Sequence, residues 1–311
     1  MVLKNKRGMV FTLITITLLS LFVVSYGAYS LVQDRSSVNK RINTLNNFVS
    51  STEQDLPRQL FISGYRSVFL FDKKILDTGS YIWDVNASLN EIFFNGTLDG
   101  VYQDLMEDAT FSAMQNFLTG NANKINADIQ LLNPIISITQ EDPWNLKIAL
   151  NITLIIEDRG GLVKWNRSEQ IVNYIPIENF EDPVYAVNTQ NKVSNKVNRT
   201  PYSVFVSGAD YTNLISHFEN SYYRASASGP SFLNRLQGDL SADQNGIESL
   251  VYPQDLISQG ISVKYKSVVD YIYFSSENPQ AYSVPAVNNL ILDDEDNHLE
   301  IYNVSGVAVA I

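Results

Sequence analysis

The first pattern in the chain is an uninterrupted apolar run. No charged residue occurs between Arg7 and Asp34, and from Val10 the sequence reads VFTLITITLLSLFVVSYGAYSLV. A helix over that interval is roughly 39 Å long at about 1.5 Å per residue, against a hydrocarbon core of about 30 Å. The run predicts a membrane-crossing helix over residues 9–33. Thr12, Thr15, Thr17 and Ser20 are compatible with it, because each hydroxyl can bond a carbonyl one turn back. Residues 34–56 continue as a polar helix with a narrow seam. Val38, Ile42, Leu45, Val49 and Leu56 alternate steps of four and three, with Thr52 in the gap, which is heptad spacing. This juxtamembrane stalk is expected to lay its seam on the protein's own body in preference to another helix.

Beyond the stalk, Asp55 and Pro57 signal a fresh helix start, with the helix running to about Leu76. A second amphipathic helix is expected from Leu98 to Leu118, stopping at Gly120, so that 57–140 reads as a mainly helical subdomain. The clearest strand follows. Leu146, Ile148, Leu150, Ile152, Leu154 and Ile156 alternate with more polar neighbours, Asp158 to Gly161 form a turn, and Val163 with Trp165–Ile175 returns, predicting a long β-hairpin. Further strands are expected at 184–189, 202–207, 261–266 and 268–275, with short helices near 211–219 and 231–237. The class is α+β, with a largely antiparallel sheet in an extracytoplasmic domain over 141–311. No fixed-period repeat is present.

Lys4, Lys6 and Arg7 sit immediately before the apolar run, which places residues 1–8 in the cytoplasm as a basic leader and the remainder outside a single-pass membrane protein. The run is longer than the core of a secretory signal, although Gly27, Ala28 and Ser30 offer small residues for cleavage there. The net charge of −11 and a pI near 4.7 argue against nucleic-acid binding. With no Cys and only His217 and His298, thiol chemistry, disulfides and multi-histidine metal sites are excluded.

Lys6-Arg7-Gly8 followed by MVFTLITITLLSLFVV resembles the class III signal peptide of type IV pilins and pilin-like proteins, especially archaeal ones. The resemblance implies a cut between Gly8 and Met9 by a prepilin peptidase on the cytoplasmic side, with Phe11-Thr12-Leu13-Ile14 opening the mature helix. The helix is then retained, to anchor the protein or pack into a filament core. Implied partners are membrane lipid along residues 9–33, the peptidase, and other pilin-like subunits. Bacterial pilins carry Glu at the position occupied here by Leu13, whereas many archaeal members lack it. The remainder, including DLPRQLFISGYRSVFLFDKKILDTGSY and ENFEDPVYAVNT, is similar to uncharacterised archaeal membrane-anchored proteins.

Candidate chemistry is sparse. There is no Gly-x-Ser-x-Gly elbow. Ser37-Val38-Asn39-Lys40 has a Ser-x-x-Lys spacing but lies on the stalk. His217 has Asp210 and Ser216 nearby, and Gly160-Gly161 precedes a strand instead of a phosphate-binding helix. Asp293, Asp294 and Asp296, with Glu295, His298 and Glu300 around them, are weak candidates for a hard cation; a solvated acidic turn is the stronger expectation. Asn-x-Ser/Thr sequons make Asn86, Asn95, Asn151, Asn166 and Asn303 glycosylation candidates, and Asn198 is a sixth weakened by Pro201. The functional expectation is a pilin-like or cell-surface structural protein with no evident catalysis and no cofactor. A non-polymerising anchored binding or adhesion module is the alternative, and an anchored extracellular hydrolase using scattered Asp and Glu is a third.

Overall fold

The computed structural model describes residues 6–311, with side chains from Gly8 onward except that of Asp34. Lys4 of the basic leader, and the side chains of Lys6 and Arg7, lie outside the described residues. The elements in order are α1 (Lys6–Thr78), α2 (Val85–Asn95), β1 (Thr97–Leu98), β2 (Val101–Tyr102), α3 (Phe111–Lys124), β3 (Ala127–Asp142), β4 (Asn145–Asp158) and β5 (Lys164–Pro176). Then come α4 (Pro183–Asn188), α5 (Thr212–Glu219), β6 (Tyr223–Ala225), α6 (Phe232–Gln237), β7 (Ile247–Ser249), α7 (Pro253–Ser258), α8 (Asp270–Phe274), β8 (Ala281–Ser283), β9 (Ile291–Asp293), α9 (His298–Ile301) and β10 (Val309–Ala310). The molecule is mixed α and β. Its sheets run β3-β4-β5, β10-β8-β9, β1-β2 and β6-β7, with antiparallel pairing at β1–β2, β6–β7, β8–β9 and β8–β10.

The helix start expected at Asp55 and Pro57 is absent, because α1 runs through Pro57 without a break. A proline inside a helix removes one backbone bond and costs about 3 kcal/mol. Buried residues on both sides, Thr52 and Leu56 before it and Leu60 and Ser63 after it, hold the helix across that fault. The expected helix over 98–118 is also replaced. Asp99-Gly100, both at positive φ, turns the chain into the β1–β2 hairpin, and α3 starts only at Phe111 and passes through Gly120. Asp-Gly is a strong two-residue hairpin signal, and here the Glu91 carboxylate accepts from both turn N–H groups, at 3.2 and 2.7 Å. β3 falls inside the stretch read as mainly helical. Its buried positions shift phase, from Ala127, Ile129 and Leu131 to Ile136 and Ile138, across Asn133 at positive φ and Pro134. That one-residue slip, a bulge, hides the alternation from a period-two reading. The β4–β5 hairpin forms where the alternation placed it.

Segment 184–189 is the helix α4 instead of a strand: Asp182 caps it, accepting from Val184 N–H, and Pro183 occupies the first turn. Residues 268–275 contain α8. Stretches 202–207 and 261–266 form no strand. Side chains satisfy their backbone in place of a ladder: Asn303 Oδ1 accepts from Phe205 N–H at 3.3 Å, and Tyr273 Oη accepts from Lys264 N–H at 2.9 Å. The short helices α5 and α6 lie where expected.

The chain divides into two compact units. The first contains α1 as far as Asp55, with Asn116–Leu132 and Thr153–Ser168. Leu45, Val49 and Thr52 of the stalk seam are buried, while Val38 is exposed. Arg41 clamps this unit. Its Nε donates to Asp158 Oδ1 at 2.8 Å, and its Nη atoms donate to Asp158 and to the carbonyls of Ile125 and Asn126. Asp158 also shapes the β4–β5 turn by accepting from Leu162 N–H, and the Arg41 guanidinium holds its carboxyl below the usual carboxylate range.

The second unit holds Leu56–Gln115, Asn133–Ile152 and Glu169–Ile311. Here α1 lies so close to the sheet that a Cβ at Gly64 would stand 2.2 Å from Ile148 Cδ1 and 2.7 Å from Ile175 Cδ1. On α2, Asn86 Oδ1 accepts from Ile138 N–H at 3.1 Å and so covers part of the β3 edge. Gly64→Leu forces those isoleucines apart and is expected to destabilise this unit by about 1–3 kcal/mol. Denaturant titration with far-UV circular dichroism measures it; an unchanged midpoint contradicts the close approach.

Candidate functional site

Two features stand apart in this structure: the apolar part of α1 and the polar clusters of the second unit. From Met9 to Val32 the large apolar side chains are 49–76% exposed, and no part of the most apolar window is buried. Five hydroxyls along this stretch are satisfied within the helix. Thr12 Oγ1 donates to Gly8 O (3.1 Å), Thr15 to Phe11 O (2.9 Å), Thr17 to Leu13 O (2.9 Å), Ser20 to Thr17 O (2.9 Å) and Ser30 to Gly27 O (2.9 Å). That is what a lipid-facing helix requires, because hydrocarbon offers no partner to a bare polar group. The helix is long and apolar enough to span a membrane. Gly8 and Met9 lie within it, exposed.

In the second unit the charged groups turn inward. Arg235 on α6 is wholly buried. Its Nη1 donates to Asp182 Oδ2 (2.6 Å) and Asp270 Oδ2 (3.0 Å), and its Nη2 donates to Asp270 Oδ1 (3.1 Å) and Ile247 O (2.6 Å). Tyr223 Oη donates to Asp182 Oδ2 (2.7 Å), and Ser249 Oγ donates to Asp270 Oδ2 (2.7 Å). Burial works against the Arg235 charge, but Asp182 and Asp270 overcome it and hold the guanidinium more firmly protonated than usual.

A second network lies on the other face of β7. Side chains alternate along a strand, so Ser249 joins the Arg235 cluster while Glu248 points away from it. Glu248 pairs in register with Arg224 on β6. Its Oε1 accepts from Arg224 Nη1 (2.7 Å) and Tyr302 Oη (2.9 Å). Its Oε2 carries no hydrogen bond and sits 3.6 Å from His298 Nε2. His298 Nδ1 donates to Asp293 Oδ1 (2.8 Å), which Ser267 Oγ also donates to through Oδ2, and Nε2 donates to Tyr271 Oη (3.1 Å). Burial opposes the imidazolium, but Asp293 and Glu248 outweigh it and raise its pKa to about 10. Burial likewise opposes the Glu248 charge, and His298 with Arg224 overcome it to hold that carboxyl at about 2.

The sequence candidates fall into place around these networks. Asp293 is buried on His298, Asp296 is reached through Tyr271 Oη (3.3 Å), and Asp294 is exposed. The acidic turn therefore surrounds a cation supplied by the chain itself. Among the described residues no group of three His, Asp or Glu converges as a metal site. His217 is buried against Phe205 and Tyr302, bonded through Nδ1 to Thr200 Oγ1 (3.1 Å), and burial pushes its pKa down to about 3, leaving it neutral. Its sequence neighbours are occupied elsewhere, Asp210 with Thr212 and Ser216 with Tyr202. Ser37 and Lys40 are exposed on α1. Of the sequons, Asn95, Asn166 and Asn198 are exposed; Asn151 is half-buried in β4; Asn86 and Asn303 are exposed but use Oδ1 to bind the backbone.

The residues that organise the second unit, Arg235, Asp182, Asp270 and Glu248, are absent from the sequence candidates. Their trace is a single charge inside an apolar run, as in FLNRLQ, GIESLVYP and VVDYIYF. All four are sealed from solvent, so they brace the fold and present no atom to a substrate.

Arg235→Met leaves two carboxylates buried without their cation and is expected to cost about 3–5 kcal/mol, read as a lowered melting temperature at constant pH. His298 supplies a pH signature. Its folded pKa lies above the free value of 6.5, so its stabilisation is complete below about pH 6.5 and is lost as pH rises toward 10. The stability difference between the native chain and His298→Gln should therefore shrink between pH 7 and 10; a difference that stays constant contradicts a charged His298. Comparison of the chain with family models, with curated proteins and with solved structures gives no match.

Proposed function

We propose that this protein is a pilin-like cell-surface structural protein: residues 9–33 cross the membrane, the basic leader stays in the cytoplasm, and the body stands outside. The observation that carries the reading is the unbroken exposure of apolar side chains from Met9 to Val32 on a helix whose threonines bond back to its own carbonyls. A water-soluble protein does not leave so large an apolar surface bare. The Lys6-Arg7-Gly8 leader supports processing between Gly8 and Met9, where the peptide is exposed. Catalysis finds no support in the second unit, where His217, His298 and their acidic neighbours are committed to one another or to the fold.

A non-polymerising anchored binding module shares this topology, and one observation favours it. Leu45, Val49 and Thr52 of the stalk seam are already covered by the chain itself. Assembly with other subunits would then rest on the span alone.

Mass spectrometry of the protein from the membrane fraction distinguishes the processing routes. The pilin-like reading expects a mature chain beginning at Met9, and Gly8→Phe, which fills the small-residue position, should leave Met1 in place. An intact Met1 in the native protein points to a plain signal anchor. A terminus beyond Gly27 means that the span itself is removed, which overturns the proposal.

A further inference from the structure

We propose that the second unit binds a neutral, hydroxyl-rich ligand, a glycan, in the open cleft bordered by Glu178, Asn179, Asn198, Arg199 and Tyr222. The cleft encloses about 560 Å³, within the range of small-molecule and saccharide sites. Of its amides, that of Asn220 is spent on Ser216 O at 2.8 Å, and those of Asn179 and Asn198 stay free. Among the described residues, the side chains of Glu178, Asn179, Asn198 and Arg199 and the hydroxyl of Tyr222 make no hydrogen bond or ion pair within it.

Backbone bonds and ring contacts position the residues that carry these groups. The Arg199 guanidinium lies 5.0 Å from the centre of the Trp144 ring, a cation–π contact. Asn179 is set by backbone bonds from its own N–H to Val197 O (3.0 Å) and from Val197 N–H to Phe180 O (2.9 Å), with φ at +72°. Asn198 carries the carbonyl that accepts from Tyr223 N–H at 2.8 Å. The Tyr222 ring packs at 6.4 Å from His217 and 6.5 Å from Tyr202.

The chemistry of the set selects the ligand. An amide both donates and accepts, a carboxylate accepts from two adjacent hydroxyls, and a guanidinium fork donates twice. Together they match groups that are themselves both donors and acceptors, which is what hydroxyls are. The half-buried Tyr222 adds a hydroxyl and aromatic surface at the border of the cleft. The one acid and one base cancel, so the cleft favours neither anions nor cations, and a neutral glycan fits better than a uronic acid polymer. This inference does not depend on how the N-terminal helix is processed.

The test is affinity electrophoresis of the full chain, made in a host that adds no N-linked glycan and held in a zwitterionic detergent without a sugar headgroup. Gels contain dextran, mannan or xylan as neutral probes, or polygalacturonate as an acidic one. Retardation by at least one neutral polymer is expected, and Arg199→Ser combined with Asn179→Gly should weaken it at least tenfold. Glycine keeps the positive φ open at 179, so the melting temperature should not move. Tyr222→Phe, which removes one hydroxyl and keeps the ring, should give a smaller loss and decides the matter where the double variant melts early. No retardation by any neutral polymer, retardation by polygalacturonate alone, or retardation unchanged in both variants overturns the proposal.

Discussion

The guanidinium of Arg235 is the constraint around which the C-terminal part of the protein is arranged. It ties together the cap of α4 through Asp182, the body of α6, the backbone of β7 through Ile247, and the first residue of α8 through Asp270. These elements are six, six, three and five residues long, too short to persist on intrinsic propensity. Burying such a charge is expensive, and two carboxylates with a carbonyl are what make it tolerable. The adjacent pairs Glu248-Ser249 and Asp270-Tyr271 then carry the constraint onward, since Ser249 bonds the Asp270 carboxylate that holds Arg235, while Glu248 and Tyr271 meet His298. One strand with no solvent-facing side thus separates two ionic clusters and registers both.

That arrangement explains which parts of the fold can be read from sequence. The apolar span and the β4–β5 hairpin are long, and their periodicities belong to the elements themselves. The alternation of Leu146 to Ile156 needs no outside help to be seen. The short elements follow a different logic. VYAVN has strand-like residues, yet Asp182-Pro183 ahead of it sets a helix. VVDYIYF looks like a strand until Asp270 is recruited to Arg235. β3 disappears from a periodic reading because Asn133-Pro134 shifts its phase. In each case a single residue, through a cap, an ion pair or a bulge, overrules the propensity of its neighbours.

The candidate chemistry divides the same way. Gly8 and the span are visible because they depend on local composition. The acidic run at 293–296 is equally visible, but its meaning lies in His298, whose charge becomes evident only when Asp293 and Glu248 are seen to flank it. Both histidines are therefore consumed in holding the protein's own structure. What stands free of such pairing is the apolar helix and, in the second unit, a cleft with unpaired amides.

The central claim is that the apolar helix holds the body on the outer side of a membrane. Protease treatment of intact cells, followed by alkaline carbonate extraction of their membranes, tests it most directly. The account predicts that the body is digested from outside and that the surviving N-terminal helix remains in the membrane pellet. Digestion only after lysis, or release of the intact chain into the carbonate supernatant, would contradict it.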